Sequence, residues 1–272
     1  MADTRASDAF KPQAPNEARI IDYLLGGKDN FAADREAAEQ AIAITPELPT
    51  MAMESRKFLG RAVRFLAGEG IRQFVDIACG LPTQNNAHEV AQAAAPGSRV
   101  VYVDNDPVVV SHANAILAGD ANTGVIQADM REPDKILAHP DLRRLIDLDE
   151  PVAILLLSAL VSIPEDETAK YIVDHLRDAI TPGSWMVISH AVSDDRTETA
   201  EQLASLFQDR QIIKASRRRT NLRTRAEVEP YFEGLKIASP GIVRTSDWRP
   251  ASGEAGVAAT MSWALVCVGQ KP

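Results

Sequence analysis

Asp76, Gly80 and Asp104 are the residues of this chain whose types and spacing could do chemistry. In Gln73-Phe74-Val75-Asp76-Ile77-Ala78-Cys79-Gly80-Leu81-Pro82-Thr83 an apolar run meets a carboxylate, then small residues and a glycine. About two dozen residues later Arg99-Val100-Val101-Tyr102-Val103 leads into Asp104-Asn105-Asp106-Pro107. A small-residue turn after one strand lets a ligand approach the backbone, and a carboxylate after the next accepts from both hydroxyls of a ribose. The turn selects the ligand. A dinucleotide needs Gly-x-Gly-x-x-Gly so that its pyrophosphate can rest on a helix N-terminus. Here Gly80 stands alone before Leu81-Pro82, and Asp76 would repel a pyrophosphate. S-adenosyl-L-methionine carries adenosine and an amino group but no phosphate, so it is the expected cofactor, with NAD as runner-up.

These residues need a βαβ unit to hold them. The pattern predicts a buried strand ending at Asp76, and a helix from about Gln84 to Ala94 capped by Thr83. A second strand over Arg99–Val103 follows. Upstream, helices are expected over Glu17–Leu25, over Phe31–Ile44 with Asn30 as cap, and from Pro46 to about Ala67. They precede the first strand and are read as a cap over the strand ends. Downstream come a helix from Pro107, a strand at Gly124–Ala128, and short helical turns through Ile136 and Leu142. The continuous apolar run Pro151–Leu157 has the pattern of a strand covered on both faces. A helix at Glu165–Ala179, a strand at Ser184–His190 and a helix from Asp194 to about Gln208 follow. Weaker strands near Leu235–Ser239 and Ser262–Gly269 would complete seven. The expected division is 1–15 disordered, 16–68 helical cap and 69–272 Rossmann-like binding domain.

Asp76-x-x-x-Gly80, the acidic strand end at Asp104 and Gln127-Ala128-Asp129-Met130 resemble the class I S-adenosylmethionine-dependent methyltransferases. The run Asp22-Tyr23-Leu24-Leu25-Gly26-Gly27-Lys28-Asp29-Asn30-Phe31 is similar to the opening of a bacterial family of S-adenosyl methyltransferase-like proteins. Gly80-Leu-Pro-Thr83, His88-Glu-Val-Ala-Gln92 and Val101-Tyr-Val-Asp-Asn-Asp-Pro107 match the same family, and the likeness spans roughly residues 16 to 250. It implies an α/β fold, a Rossmann-like seven-stranded class I methyltransferase sheet with an N-terminal helical cap. It also implies that Asp129 accepts from the adenine amino group. Relatives carry Leu-His-x-Ile-Pro where this chain has Leu160-Val161-Ser162-Ile163-Pro164, so the most natural base is missing.

The expected cofactor-binding set is therefore Tyr23, Asn30, Arg56, Asp76, Ala78, Gly80, Asp104, Asn105, Asp129, Met130 and Ser158. Asp104 is the expected ribose ligand, and Asp106 before Pro107 reads as a helix cap. Ser158 lies on the pocket floor at the exit of the fourth strand. Tyr23 and Asn30 belong to a polar set around Gly26-Gly27 that reads as a lid, because such residues are exposed unless paired. Arg19 and Arg56 are candidate carboxylate clamps. The catalytic residues are unknown, with His190 the one candidate base. The basic run Lys214 to Arg225 reads either as a solvated connection or as an entrance for an anionic substrate.

Bulk properties exclude other classes. With 272 residues the chain can bury a large core. A net charge of -9 argues against nucleic acid as a general partner. No apolar stretch approaches the roughly 20 residues that span a bilayer, and the first residues show no signal-peptide core. The two cysteines, Cys79 and Cys267, and the absence of a Cys/His cluster fit a reducing cytoplasm and no metal. The expected activity is methyl transfer to a small molecule, with secondary metabolism as a setting and a homodimer left open. Two alternatives stand beside it: intramolecular displacement on the cofactor releasing methylthioadenosine, and binding of S-adenosylmethionine or its demethylated product without catalysis.

Overall fold

Strands whose side chains alternate between two apolar layers form the centre of the molecule. A computed structural model describes residues 13–82, 85–117, 119–194, 196–213, 220–251 and 263–272. β1 (Gln73–Ile77), β2 (Arg99–Asp104), β3 (Thr123–Gln127), β4 (Ala153–Leu157) and β5 (Trp185–Ala191) run parallel. The two-residue strands β6 (Lys236–Ile237) and β7 (Val243–Arg244) both pair antiparallel with β8 (Ala264–Gln270), which itself pairs antiparallel with β5. The order is β3-β2-β1-β4-β5-β8-β6, with β7 beside β8. The expected Rossmann-like sheet is present with seven strands along its path, and β7 is an eighth that its two residues were too short to announce.

Each face of the sheet has its own core. Val75, Ile77, Val101, Val103, Ile154 and Leu156 pack with α6 (Pro133–Leu137), α7 (Pro140–Leu145) and α8 (Asp166–Ala179). Phe74, Val100, Tyr102, Ala153 and Leu155 face α4 (Ala87–Ala94), α5 (Pro107–Ile116) and part of α3 (Leu48–Gly68). The period of two along a strand then puts Asp76 and Asp104 on the α3 side. This corrects one expectation. Phe58, Leu59, Ala62, Val63 and Leu66 of α3 belong to the sheet's own core, so residue 68 does not separate a cap from a binding domain. Arg61 of α3 also donates to the carbonyls of Thr245 and Trp248, at 2.6 and 2.9 Å.

α1 (Glu17–Leu24) and α2 (Ala32–Ile44) pack on each other through Ile20, Leu24, Ala37 and Ala38. α2 is not capped by Asn30, as expected. Phe31 is its cap residue, and the Asp34 carboxylate accepts from the Phe31 N–H at 2.8 Å. α4 starts at Ala87 after Asn86, whose N–H donates to Glu89 at 2.7 Å. Thr83, the expected cap, lies outside the described residues, as do residues 1–12 of the expected disordered segment. Among the described residues no helix is long and apolar enough to cross a membrane.

The described part of the basic run buries Arg223 and leaves Arg225 exposed. Arg223 is fully buried and donates to the carbonyls of Leu160 and Ile163 and to Nε2 of His190, while pairing with Asp166 at 2.9 Å. Arg225 pairs with Glu229 at 2.8 Å and donates to the Ile242 carbonyl. Lys214 to Arg219 lie outside the described residues. Replacing Arg223 with leucine leaves two buried carbonyls without donors, so Arg223→Leu should lower stability by about 3 kcal/mol. Urea denaturation checks this, and a loss below about 1 kcal/mol would return Arg223 to the surface reading.

Candidate functional site

A cavity of about 450 Å³ opens at the C-terminal ends of β1, β2 and β4. β1 pairs with β2 on one side and β4 on the other, so the winding reverses there, which is where open α/β sheets bind ligands. The volume lies in the range of small-molecule sites. The wall includes Asp76, Ala78 and Gly80 from the first turn, Asp104, Asn105 and Asp106 from the second, and Met130 and Arg131 after β3. Ser158 follows β4, and Arg56 reaches in from α3. Eight of the residues anticipated from sequence thus meet around one space: Arg56, Asp76, Ala78, Gly80, Asp104, Asn105, Met130 and Ser158.

The turns that form this wall are backbone-strained. Ala78 has φ of 55° and Ser158 of 58°, in the left-handed region that residues with a Cβ avoid, and Gly80 follows at 64°. Such outliers cost about 1–3 kcal/mol each and gather at ligand sites. Both strained non-glycine residues end strands that flank the reversal. Their hydrogen bonds hold them. Ser158 N–H donates to the Ser189 carbonyl at 3.1 Å and the Ser189 hydroxyl at 2.9 Å. Gly80 N–H donates to Asp104 Oδ2 at 3.0 Å, and Asp106 N–H to Asp104 Oδ1 at 2.9 Å. The Asp104 carboxylate is therefore fixed in place while keeping lone pairs toward the cavity.

The electrostatics favour a cationic guest. Asp76 is 5% exposed, and burial raises its carboxyl to about 7, against the charge of Arg56 and with that of Asp104 adding. Burial likewise raises Asp104, and it raises Glu17 with help from Asp104. The Cys79 thiol is pushed well above its usual range by burial and by Asp76 and Asp104, so it stays a thiol. Three carboxyls that resist ionisation, Asp76 and Asp104 buried and Glu17 partly so, gain from a positive charge placed between them. Among the described residues no group of three or more His, Cys, Asp or Glu could hold a metal ion.

Asn16 ties the N-terminal helices to this site. Its Oδ1 caps α1 by accepting from Ala18 and Arg19 N–H groups at 2.8 and 3.3 Å. Its Nδ2 donates to Asp106 Oδ2 at 2.6 Å, and its N–H to Asp34 at 2.8 Å. Asp106 in turn caps α5, as expected, by accepting from Val108 N–H at 2.7 Å. Asn16 and Glu17 thus line the cavity, with Ala18, Ile21, Leu24 and Leu25 of the same helix region. Neither Asn16 nor Glu17 was singled out from sequence; a cap residue and a first-turn acid explain themselves locally.

The polar signature after α1 has a different task from the expected one. Asp22 accepts from Asp29 N–H at 2.9 Å and Asn30 Nδ2 at 2.8 Å, and Asn30 Nδ2 also donates to the Gly27 carbonyl. A Cβ on Gly27 would lie 2.0 Å from Asp22 Oδ1, so only glycine fits there. Tyr23 donates to Glu39 at 2.5 Å on the α1–α2 seam. Tyr23 and Asn30 therefore shape the turn and do not line the cavity, and Arg19 is committed to Asp34 at 2.8 Å rather than to a ligand. Asp129 accepts from Arg131 N–H at 2.9 Å, a turn cap, and is also outside the wall. His190 is fully buried, its Nδ1 2.7 Å from the Ala191 carbonyl and its Nε2 accepting from Arg223 at 3.0 Å. With both nitrogens engaged and no face on the cavity, it is not a base for a bound substrate. Val161 likewise lies outside the wall.

A sequence-family model described as S-adenosyl methyltransferase matches residues 3–272. No curated protein matches the chain. Among solved structures, a DUF574 family protein from Streptomyces avermitilis is 36% identical, with a TM-score of 0.89 over 96% of this chain and 99% of that one. A protein from Thermobifida fusca, provisionally designated a methyltransferase, is 39% identical, with a TM-score of 0.88 over 98% of each chain.

Ionising Asp76 in the empty cavity should cost stability. Its folded carboxyl titrates near 7, above its unfolded value of about 4. The stabilisation is thus complete below about pH 4 and is lost as pH rises through about 7. Its upper bound is about 4 kcal/mol. Asp76→Asn should melt ever higher than the unsubstituted protein as pH rises across that window. A gap in melting temperature that stays constant from about pH 5 to pH 8 would contradict the burial of that charge.

Proposed function

The chain belongs to the S-adenosyl methyltransferase family, and from that premise we propose that it methylates a small-molecule acceptor held in this cavity. It is an S-adenosylmethionine-dependent enzyme, and the residues present suit that cofactor. The observation that carries the reading is the placement of Asp76, Glu17 and Asp104 beside Arg56 in one partly closed space at the reversal of the sheet.

When bound, S-adenosylmethionine supplies a methyl carbon already activated by a sulfonium leaving group. Asp104, fixed by two backbone amides, would accept from the ribose hydroxyls. Asp76 would give up its proton in favour of the positively charged methionyl end, and Arg56 would face the carboxylate of that end. Asn105 and Met130 would border the adenine. Glu17 adds negative charge from the cap side, and α1 with the first turns of α3 excludes water, which strengthens each of these interactions. These residues would hold that methyl group in line with an acceptor's lone pair, where its sulfonium would serve as the leaving group. Positioning and water exclusion can supply much of the acceleration. No residue is assigned as general base. A cavity of this size beneath two helices supports a small molecule rather than a macromolecule as acceptor.

Asp104→Ala should weaken S-adenosylmethionine binding at least about tenfold, or about 1.4 kcal/mol, as expected for hydrogen bonds to a charged group. Titration calorimetry reads this, and unchanged affinity would remove Asp104 from the ribose. Incubating the enzyme with S-adenosylmethionine and candidate acceptors, then identifying the nucleoside product, tests the reaction itself. S-adenosylhomocysteine with a methylated acceptor is the expected outcome. Methylthioadenosine would mean intramolecular displacement, and binding without any product would mean a sensor.

A further inference from the structure

The cavity wall changes character along the strand order of the sheet. Above β2 and β1 it is charged, with Glu17, Asp76, Asp104 and Asp106. On the other side of β1, toward β5 and β8, it is aliphatic. Leu48 and Met51 of α3 line the cavity and pack in a cluster with Trp263, the residue before β8. Ala52 and Ile212 join Leu48 in the neighbouring apolar cluster, and Ile213 and Ala264 complete this part of the wall. Its wall also includes the hydroxyls of Ser158 and Ser162. Ser162 donates its own to the Ala159 carbonyl at 2.8 Å, and Ser158 lies 3.4 Å from the Ser189 hydroxyl.

We propose that the acceptor is an uncharged, predominantly aliphatic small molecule that occupies the arm of the cavity toward β5 and β8. The inference rests on the methyltransferase reading of the same site, since the charged half is left to the cofactor. An ionised group brought into the aliphatic arm would lose its water without gaining a charged partner among the described residues, which is strongly unfavourable. Three arginines of neighbouring elements, among the described residues, do not offer one. Arg223 is spent on Leu160, Ile163 and His190, Arg225 on Glu229, and Arg196 pairs with Glu47 at 2.9 Å. Among the described residues the wall's two arginines, Arg56 and Arg131, stand with the carboxylates, Arg56 facing Asp76 and Arg131 paired with Asp129 at 3.6 Å.

The test uses the full chain saturated with S-adenosylhomocysteine and the dye Nile red as reporter of the arm. Octan-1-ol, octanoate and octylammonium, matched in length, are titrated as competitors. Octan-1-ol should displace the dye at a concentration at least about tenfold lower than either ion. Ile213→Asp, in a half-buried turn, should weaken octan-1-ol by about tenfold and leave S-adenosylhomocysteine affinity unchanged, and Ile213→Leu should restore it. Met51→Asp serves as the second arm variant if Ile213→Asp does not fold. Equal or tighter binding of either ion, no displacement by any of the three, or arm variants that bind octan-1-ol as before would each overturn the proposal. Failure of the unsubstituted protein to bind S-adenosylhomocysteine would instead strike the methyltransferase reading, so the two are separable.

Discussion

Carboxyl groups that are buried close together, with Arg56 offsetting only part of their charge, constrain everything else in this structure. The parallel pairing of β1 with β2 delivers Asp76 and Asp104 to the same sheet end, one strand apart. Alternation along the strands turns both toward α3. Burial then works against ionisation, strongly enough to hold the Asp76 carboxyl near 7. Arg56 offsets part of this, and the amides of Gly80 and Asp106 offset part of it at Asp104. The remainder is a site whose charge is completed by its ligand. A sulfonium and an ammonium on one adenosine-bearing molecule meet that need, whereas a pyrophosphate would aggravate it.

The N-terminal helices serve the same constraint from the opposite side. α1 brings Glu17 over Asp104 and fastens itself through Asn16 to Asp106, the cap of α5. One asparagine therefore joins the start of the cap to the turn that carries the ribose-facing carboxylate. The Gly-Gly turn, Asp22, Asn30, Arg19 and Asp34 fix how α1 and α2 meet, and so fix where Glu17 stands. These residues act on the site through shape. The same division of labour places α3 across both regions, its early turns on the cavity and its later ones in the sheet core.

Much of the cofactor side was legible because it is local. A strand, a tight turn and a carboxylate one strand later are written in consecutive residues, and all three elements fall where the pattern put them. Partnership is not local, and there the reading went astray. Tyr23 and Asn30 looked like a lid because polar residues crowd there, yet their partners are Glu39, Asp22 and Gly27. Arg223 looked like part of a charged surface because its neighbours are arginines, yet tertiary packing buries it against the carbonyls of Leu160 and Ile163 after β4. His190 and Asp129 stood at strand ends where chemistry often sits, yet His190 is engaged by Ala191 and Arg223, and Asp129 accepts from the Arg131 N–H in its own turn. Glu17 was invisible because a first-turn acid already has a local explanation in the helix dipole. β7 has two residues, too few for an alternation to register.

The account's central claim is that the cavity acquires its charge when the cofactor enters. Titration calorimetry of S-adenosylmethionine near pH 7, repeated in buffers of different ionisation enthalpy, counts the protons exchanged on binding. Asp76 should ionise against the incoming cation, so binding should release protons, and Asp76→Asn should abolish most of that release. Binding with no proton release, or release that persists in Asp76→Asn, would contradict the account.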